Sequence, residues 1–210
     1  MDIQDYIASL IPIGNDPFIE RIEKYASDHN VPIMEKTGLH MLLQILELHQ
    51  PRNILEIGTA IGYSAIKMAQ SLPANIVTIE RDIERLKIAK ENITEAGLHE
   101  RIKVIEGDAL DLQDEVSAFA PYDAVFIDAA KGQYEKFFQL YEPMISTGGL
   151  VISDNILFKG MVAGEVPSHK RIEGMVQKLR SYNEKLMSDP RFSSMIYPIG
   201  DGVLVSIKKG

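Results

Sequence analysis

The stretch that most constrains the fold is residues 53–64, which read N-I-L-E-I-G-T-A-I-G-Y-S. The apolar run at 54–57 is too short for a helix and is typical of a strand buried in a parallel sheet. Gly58 and Gly62 follow, and helical spacing of apolar residues begins directly after them at 63–69. A strand, a glycine turn and a helix in succession open the doubly wound sheets that bind nucleotides. Glycine lets a ligand approach the backbone, and the start of the helix offers free N–H groups.

The loop differs from the known phosphate-binding fingerprints. A dinucleotide site would have three glycines as G-x-G-x-x-G, and this loop has two, at Gly58 and Gly62. A G-x-x-x-x-G-K-[ST] phosphate loop is absent as well. Glu56 stands two positions before the first glycine, and an acid there suits a cationic ligand better than a polyphosphate. We therefore expect Glu56 to hold an ammonium group or to lie near a sulfonium.

Short strands alternate with helices through the middle of the chain. Apolar runs typical of strands occur at 53–57, 75–80, 102–106, 123–128 and 149–153. Helical stretches lie between them, at 63–71, 82–96, 109–118 and 132–142. Such alternation forms βαβ units with right-handed crossovers. The pattern therefore predicts an α/β, Rossmann-like fold with a mostly parallel sheet and helices on both faces.

Both ends of the chain depart from this alternation. Helical spacing precedes the first strand, at 2–11, 17–29 and 37–49. The last parallel strand is followed by a polar helix near 169–187 and by two strands, 193–198 and 203–208. The tripeptide G-D-G between those strands signals an antiparallel hairpin and brings the predicted sheet to seven strands. We expect one domain over 1–210, with N-terminal helices in 1–50 and the α/β core in 51–210.

Composition excludes several classes of protein. The 210 residues include no cysteine, so disulfides, thiolate nucleophiles and cysteine-bound zinc are excluded. No apolar run approaches the length of a membrane span, and the acidic start of the chain does not resemble a secretion signal. These features favour a cytoplasmic protein. The net charge of −8 argues against nucleic-acid binding over the whole surface, but it leaves room for a local basic face.

Acidic residues stand where predicted strands end. Glu80 closes the second strand at the distance from the glycine loop where an acid takes a ribose hydroxyl pair, although a solvated carboxylate is an alternative. Asp108 follows the third strand, where it can also cap a helix. Asp128 and the pair Asp154-Asn155 follow the next two strands.

The last three side chains predict a metal site. Neighbouring strands lie about 4.8 Å apart, so Asp128, Asp154 and Asn155 can converge at one edge of the sheet. Two carboxylates and an amide oxygen prefer Mg²⁺, with Mn²⁺ or Ca²⁺ possible, and two independent helix caps are the alternative. Lys131 begins a predicted helix, where a cation is disfavoured. It can act as a base or stabilise an oxyanion, and a plain surface lysine is the alternative.

These motifs together resemble a known family. E-I-G-T-A-I-G-Y-S resembles motif I of the class I S-adenosylmethionine-dependent methyltransferases, in their catechol and caffeoyl-CoA branch, and D-A-A-K with D-N resembles the metal-dependent members of that branch. The resemblance implies S-adenosylmethionine as cofactor, bound around Glu56, Gly58 and Asp128, with Lys131 and Asp128 acting in catalysis. It further implies that Ser64 binds the cofactor carboxylate. The remaining implied contacts are a backbone contact at Met34 and an adenine border at Asp108 and Ala109.

Within this branch, residues 31–36, 54–64, 126–134 and 154–160 also resemble the bacterial tRNA 5-hydroxyuridine methyltransferases, and the resemblance covers nearly the whole chain. The 5-hydroxyl and 4-oxo groups of that wobble base are adjacent oxygens that can chelate a metal as a catechol does. The segment 159–185 carries six cations and three anions, a net charge of 6 − 3 = +3. We expect its basic residues to grip phosphates of a tRNA anticodon loop. These residues are Lys159, Lys170, Arg171 and Lys178.

Two alternatives remain open. One is a catechol-type methyltransferase that acts on a small molecule and not on RNA, which the acidic net charge favours. The other, from a different class, is an NAD-linked oxidoreductase or a nucleotide-binding regulator, against which the missing third glycine argues. The apolar faces of the helices predicted at 2–11 and 17–29 lie outside the alternating pattern. We expect these two helices to form part of a homodimer interface and to border the substrate entrance.

Overall fold

The computed structural model describes residues 3–11, 16–164 and 169–210. In this part of the chain one sheet of seven strands has the order β3-β2-β1-β4-β5-β7-β6. The strands are β1 Asn53–Ile57, β2 Asn75–Glu80, β3 Ile102–Glu106, β4 Tyr122–Ile127, β5 Ile145–Ser153, β6 Phe192–Tyr197 and β7 Val203–Lys208. β1 to β5 pair in parallel, whereas β7 pairs antiparallel with both β5 and β6. The predicted Rossmann-like sheet with its C-terminal hairpin is thereby confirmed.

Helices cover both faces of the sheet. They are α1 Ile3–Leu10, α2 Pro17–Asp28, α3 Lys36–His49, α4 Tyr63–Ser71, α5 Ile83–Glu95, α6 Gln113–Ser117, α7 Tyr134–Tyr141 and α8 Lys170–Ser188. Local chemistry sets several boundaries. Asp16 caps α2 by accepting the backbone N–H of Phe18, and Asp82 caps α5 by accepting that of Arg85. Among the described residues, no helix is both long and apolar enough to cross a membrane.

The core has two layers, one on each side of the sheet. Alternate residues of each strand point to opposite faces, so Ile54 packs with α2 to α5 while its neighbour Leu55 packs with α6 to α8. Both side chains are fully buried. Burial on both faces explains why the parallel strands read as nearly continuous apolar runs.

Three elements differ from their predicted bounds by more than one residue. β5 begins at Ile145, four residues before the predicted start, because Ile145 pairs with Tyr122 of β4. The predicted helix 109–118 shortens to α6, since Asp108 accepts the N–H of Leu110 and turns the chain. The predicted helix 132–142 opens as a 3-10 turn, Lys131–Gln133, before α7.

Candidate active site

The carboxyl ends of β1 to β5 surround a cavity of about 420 Å³. A parallel sheet brings these ends to one edge, which is where ligands bind in doubly wound folds. The segment 32–35 and the 3-10 turn Lys131–Gln133 form further walls. Apart from Glu56, every predicted cofactor residue, metal ligand and catalytic residue lines this cavity. These residues are Met34, Gly58, Ser64, Glu80, Asp108, Ala109, Asp128, Lys131, Asp154 and Asn155.

Gly58 allows the end of β1 to lie directly against the end of β4. Its φ of +108° is a conformation that other residues rarely adopt, and a Cβ there would overlap the carbonyl oxygen of Asp128. The N–H groups of Gly58 and Thr59 both donate to the Ile79 carbonyl of β2, at 3.1 Å each. The loop is therefore held by backbone contacts to strands on both sides.

Glu56 lies behind the cavity wall, and this placement corrects the expectation that it meets a cationic ligand. The side chain is fully buried and accepts hydrogen bonds of 2.5 Å from the hydroxyls of Ser64 and Thr78. Burial, opposed by these hydrogen bonds, raises the pKa of the Glu56 carboxyl to about 7. The cause of the placement is strand register, since Glu56 pairs with Thr78 on the neighbouring strand. The acid orients Ser64, and Ser64 lines the cavity.

Glu80 is a fixed acceptor at the end of β2. One carboxylate oxygen accepts the N–H of Ala60 at 2.8 Å, and the other accepts those of Arg81 and Asp82 at 3.0 and 2.9 Å. The residue is 8% exposed. Three backbone donors therefore set the direction of its remaining lone pairs into the cavity, as an acceptor for a hydroxyl pair requires.

Asp128 and Asp154 form an acidic pair at the ends of β4 and β5. Burial first, and then the neighbouring Asp128 carboxyl, raise the pKa of Asp154 to about 7. Burial also raises the pKa of Asp128, although Lys131 opposes this rise. The hydroxyl of Tyr134, a residue that the sequence did not single out, donates to the Asp154 carbonyl at 3.0 Å. This hydrogen bond fixes the backbone just after β5. Two neighbouring carboxyls, one of which raises the pKa of the other, favour a bound cation between them.

Asn155 completes the predicted metal ligand set. Its backbone N–H donates to Asp154 at 2.7 Å, and its side-chain oxygen accepts from the Lys131 ammonium at 2.7 Å. Among the described residues no three His, Cys, Asp or Glu side chains cluster as a metal site. The set here is two carboxylates and one amide oxygen, a combination of hard donors that fits Mg²⁺. The same amide oxygen tethers Lys131, whose Nζ lies 6.0 Å from the ring centre of Phe158.

The predicted basic residues are placed unevenly around the cavity. Lys178 on α8 reaches Gly132, since its Nζ lies 3.8 Å from an ideal Cβ position on that glycine. Lys170 and Arg171 are exposed in the first turn of α8, and Lys159 is exposed in the loop after β5. Lys178 is therefore the member of this set placed beside the described cavity wall. Glu165, counted in the charge of this segment, lies outside the described residues.

Several cavity residues escaped sequence reasoning. Arg85 and Gln133 line the cavity, and Thr78 lies behind it, where it shares a 2.6 Å hydrogen bond with Thr59. Tyr63 also lines the cavity, and its hydroxyl donates to Glu23 of α2. Their contacts join segments far apart in the chain, so no local pattern indicates them. For Gln133 the available signal was its place two residues after Lys131 in D-A-A-K-G-Q-Y.

Known proteins share both this fold and its chain length. A catechol O-methyltransferase from Niastella koreensis is 31% identical over 99% of this chain and 96% of its own. A protein from Staphylococcus aureus, solved as a proposed caffeoyl-CoA O-methyltransferase, superposes with a TM-score of 0.90 at 36% identity, over 98% of both chains. An O-methyltransferase from Bacillus cereus, solved with S-adenosylhomocysteine, has a TM-score of 0.85 at 28% identity and covers 99% of this chain and 97% of its own.

The comparisons bear on the substrate as well as the fold. The named substrates of these relatives are a catechol and caffeoyl-CoA, which are small molecules. The comparisons therefore agree better with the small-molecule alternative than with the tRNA reading. The family model for O-methyltransferases matches residues 15–209. The chain therefore belongs to the O-methyltransferase family.

Proposed function

We propose that this protein is an S-adenosylmethionine- and Mg²⁺-dependent O-methyltransferase that acts on a small aromatic substrate with two adjacent oxygens. The observation that carries the proposal is the acidic pair Asp128 and Asp154, with Asn155, in the same cavity as the glycine loop. The catechol and caffeoyl-CoA O-methyltransferases among its relatives support the substrate class.

The cofactor would extend along the strand ends. Glu80 would accept the ribose hydroxyls, because three backbone donors already fix its carboxylate. The cofactor carboxylate would lie beside Ser64 at the start of α4 and accept hydrogen bonds from the free helix N–H groups there. Asp108 and Ala109 would border the adenine. The cofactor supplies an activated methyl group on a sulfonium.

At the other end of the cavity the chain would bind and orient the acceptor. Asp128, Asp154 and Asn155 would hold a divalent cation, which lowers the pKa of a hydroxyl bound to it. Lys131, positioned by the Asn155 amide, would accept the proton of that hydroxyl as the base, and the ammonium so formed would stabilise the oxyanion. The contact of Gly58 with Asp128 sets the end of β1 against the end of β4, and this fixes the two parts of the site relative to each other. Orientation of the methyl donor and the acceptor would supply most of the rate enhancement.

Calorimetry and a methyl-transfer assay test this proposal. The purified protein should bind S-adenosylhomocysteine and not NAD, and it should methylate a simple catechol such as 3,4-dihydroxybenzoate when Mg²⁺ is added. Chelation should abolish turnover and leave cofactor binding largely intact. Full activity after exhaustive chelation would refute the metal site, and tight NAD binding without S-adenosylhomocysteine binding would refute the whole proposal.

A second candidate function is methylation of 5-hydroxyuridine in the tRNA anticodon loop. The specific observation that favours it is Lys178, which lies against Gly132 beside the cavity wall, with Lys170 and Arg171 exposed on the same helix. If RNA is the substrate, activity on 5-hydroxyuridine-containing tRNA should fall steeply with salt. Replacing Lys170 and Arg171 by glutamate should cripple that activity and spare catechol methylation. Failure of the unaltered enzyme on such tRNA would eliminate this candidate.

We also propose that the N-terminal helices contribute to a homodimer. Ile3 and Leu10 of α1 are 78% and 63% exposed, and Tyr6 and Ile7 on the same helix are exposed as well. An apolar helix face of this kind is costly to leave in water and fits a second copy of the chain. Light scattering at micromolar concentration should give the mass of a dimer, and a monomeric mass would contradict the proposal.

A further inference from the structure

The loop 155–164, which follows β5, contains three residues in an unusual backbone conformation. Asn155, Phe158 and Lys159 have φ angles of +56°, +42° and +54°, in the left-handed region that residues other than glycine rarely adopt. Such conformations cost energy and persist only where surrounding contacts hold them. Asn155 belongs to the proposed metal ligand set, so this strained loop begins at the acceptor end of the cavity.

The C-terminal hairpin holds the first half of the loop. The N–H of Leu157 donates to the Asp201 carbonyl at 2.9 Å, and the N–H of Lys159 donates to the Asp201 carboxylate at 2.8 Å. A Cβ on Gly202 would overlap the Leu157 side chain, so the hairpin turn and the loop lie in direct contact. The G-D-G tripeptide that predicts the hairpin therefore also anchors the strained residues.

Arg180 of α8 holds the second half of the loop. Its guanidinium donates to three backbone carbonyls, those of Met161, Val162 and Gly164, at 3.3, 2.8 and 2.9 Å. The inner side chains of α8 are fully buried, so the helix is a rigid support for this arginine. A planar guanidinium can bond several acceptors in a fixed arrangement. Arg180 therefore ties the loop to the core of the protein.

The two halves of the loop are joined at Phe158. The N–H groups of Met161 and Val162 donate to the carbonyls of Phe158 and Leu157, at 3.0 and 3.2 Å. The ring centre of Phe158 lies 6.0 Å from Nζ of Lys131, a residue that lines the cavity. The same Nζ donates to the side-chain oxygen of Asn155 at 2.7 Å. The direction of the Lys131 side chain therefore depends on this loop.

We propose that Arg180 is a positioning residue which, through the loop 155–164, directs Lys131 toward one of the two adjacent oxygens of the acceptor. The inference rests on the proposed function, because it requires Lys131 to act as the base in this cavity. Lys131 takes the proton of one hydroxyl, and that oxygen bonds the methyl carbon as the carbon–sulfur bond breaks, which leaves a neutral thioether. A base held in one direction favours one oxygen, since small changes in position have large effects on rate.

The test measures which oxygen of 3,4-dihydroxybenzoate is methylated. With Mg²⁺, the unaltered protein should give one of the two monomethyl products in clear excess over the other. Arg180→Ala should bring the ratio of the two products closer to equality by at least about threefold, because the loop loses three hydrogen bonds. Arg191→Ala is the matched control and should keep the ratio. Arg191 also makes several hydrogen bonds, to Asp189 and Glu142, but these lie at the other end of β5.

The product ratio distinguishes positioning from a loss of folded protein. A variant that merely folds less well contains fewer active molecules, so its yield falls while its product ratio stays the same. Phe158→Leu should shift the ratio in the same direction as Arg180→Ala, and the two changes combined should shift it no further than the larger single change. Binding of S-adenosylhomocysteine to Arg180→Ala, measured by calorimetry, should be unchanged. Arg180→Met keeps the apolar part of the side chain and serves as a second variant if Arg180→Ala does not fold.

Several results would overturn the inference. An unchanged product ratio in the Arg180 variant is one, and equal amounts of the two products from the unaltered protein is another. Additive shifts in the combined variant would show that Arg180 does not act through Phe158 and its loop. Absence of both products from the unaltered protein would instead reject the proposed function.

Discussion

The carboxylates at the two ends of the cavity are stabilised in different ways. At the β1 and β2 ends, Glu56 and Glu80 are held by donors that the protein itself supplies, two hydroxyls for the first and three backbone N–H groups for the second. At the β4 and β5 ends, the carboxyl of Asp128 raises the pKa of Asp154, and the charge partner nearby is Lys131. The carboxylates of the first region have hydrogen-bond donors from the protein without any ligand, whereas those of the second region favour a bound cation. Substitutions should therefore affect binding in one region and turnover in the other.

Replacing Asp154 should have the largest effect. Asp154→Ala removes one of the two carboxylates proposed to hold the metal, so turnover with Mg²⁺ should fall by at least about a hundredfold. Calorimetric binding of S-adenosylhomocysteine should change little. Asp114→Ala, an exposed carboxylate on α6, is the control and should retain full activity. Equal loss of cofactor binding and turnover in Asp154→Ala would show that the two ends do not act separately.

Replacing Glu80 should give the complementary result at the cofactor end. Glu80→Ala removes the acceptor for the ribose hydroxyls and should weaken S-adenosylhomocysteine binding by about 1–3 kcal/mol. Isothermal calorimetry measures this change, and Glu84→Ala, exposed on α5, provides the control. Magnesium binding measured without cofactor should be unaffected. A large loss of magnesium affinity in Glu80→Ala would contradict the division of roles.

The pH dependence of stability should separate the two ends by their response to metal. Burial raises the pKa of both Glu56 and Asp154 to about 7. An acid with a raised pKa binds more protons when folded, so it lowers stability as pH rises from about 4 through about 7. Urea unfolding without metal should show this fall. Mg²⁺ should remove the part of this fall in stability that is due to the acidic pair. The part of the fall that is due to Glu56 should persist.

The Glu56→Gln variant provides the control for that measurement. Its stability should fall less between pH 4 and 7 than that of the unaltered protein, because the neutral amide does not titrate. The opposite finding is that Mg²⁺ removes the whole pH dependence of the unfolding free energy in the unaltered protein. That result would show that Glu56 does not contribute to it, and would contradict the difference between Glu56 and the acidic pair.

The smallest expected effect is at Ser64. Ser64→Ala removes one of the two hydroxyls that donate to Glu56, and should cost about 1 kcal/mol of unfolding free energy. Denaturant unfolding measures the change, with Ser188→Ala on the exposed end of α8 as control. A larger loss of cofactor affinity than of stability would indicate that Ser64 acts mainly on the ligand.

Sequence reasoning succeeded where function follows from strand ends. The alternation of strands and helices fixed the sheet, and parallel strands must bring residues such as Glu80, Asp128 and Asp154 to one edge. Sequence reasoning placed Glu56 against the ligand, which is wrong. Because β1 is covered on both faces, the residues on both sides of Glu56 are apolar and do not show which way its side chain points. Only the register with Thr78 reveals which way Glu56 points. The early start of β5 was hidden because pairing with Tyr122, not local composition, extends it.

The contact between Gly58 and the Asp128 carbonyl has a consequence for how such an enzyme can diversify. That contact is made by the main chain, so the separation between methyl donor and acceptor site does not depend on which side chains shape the entrance. On the proposed function, the segment 32–35 and the loop beyond Asn155 can therefore change, one residue at a time, without altering the distance over which the methyl group is transferred. Selection for a new acceptor would act on the entrance alone, whereas a side chain at position 58 would disable every acceptor at once.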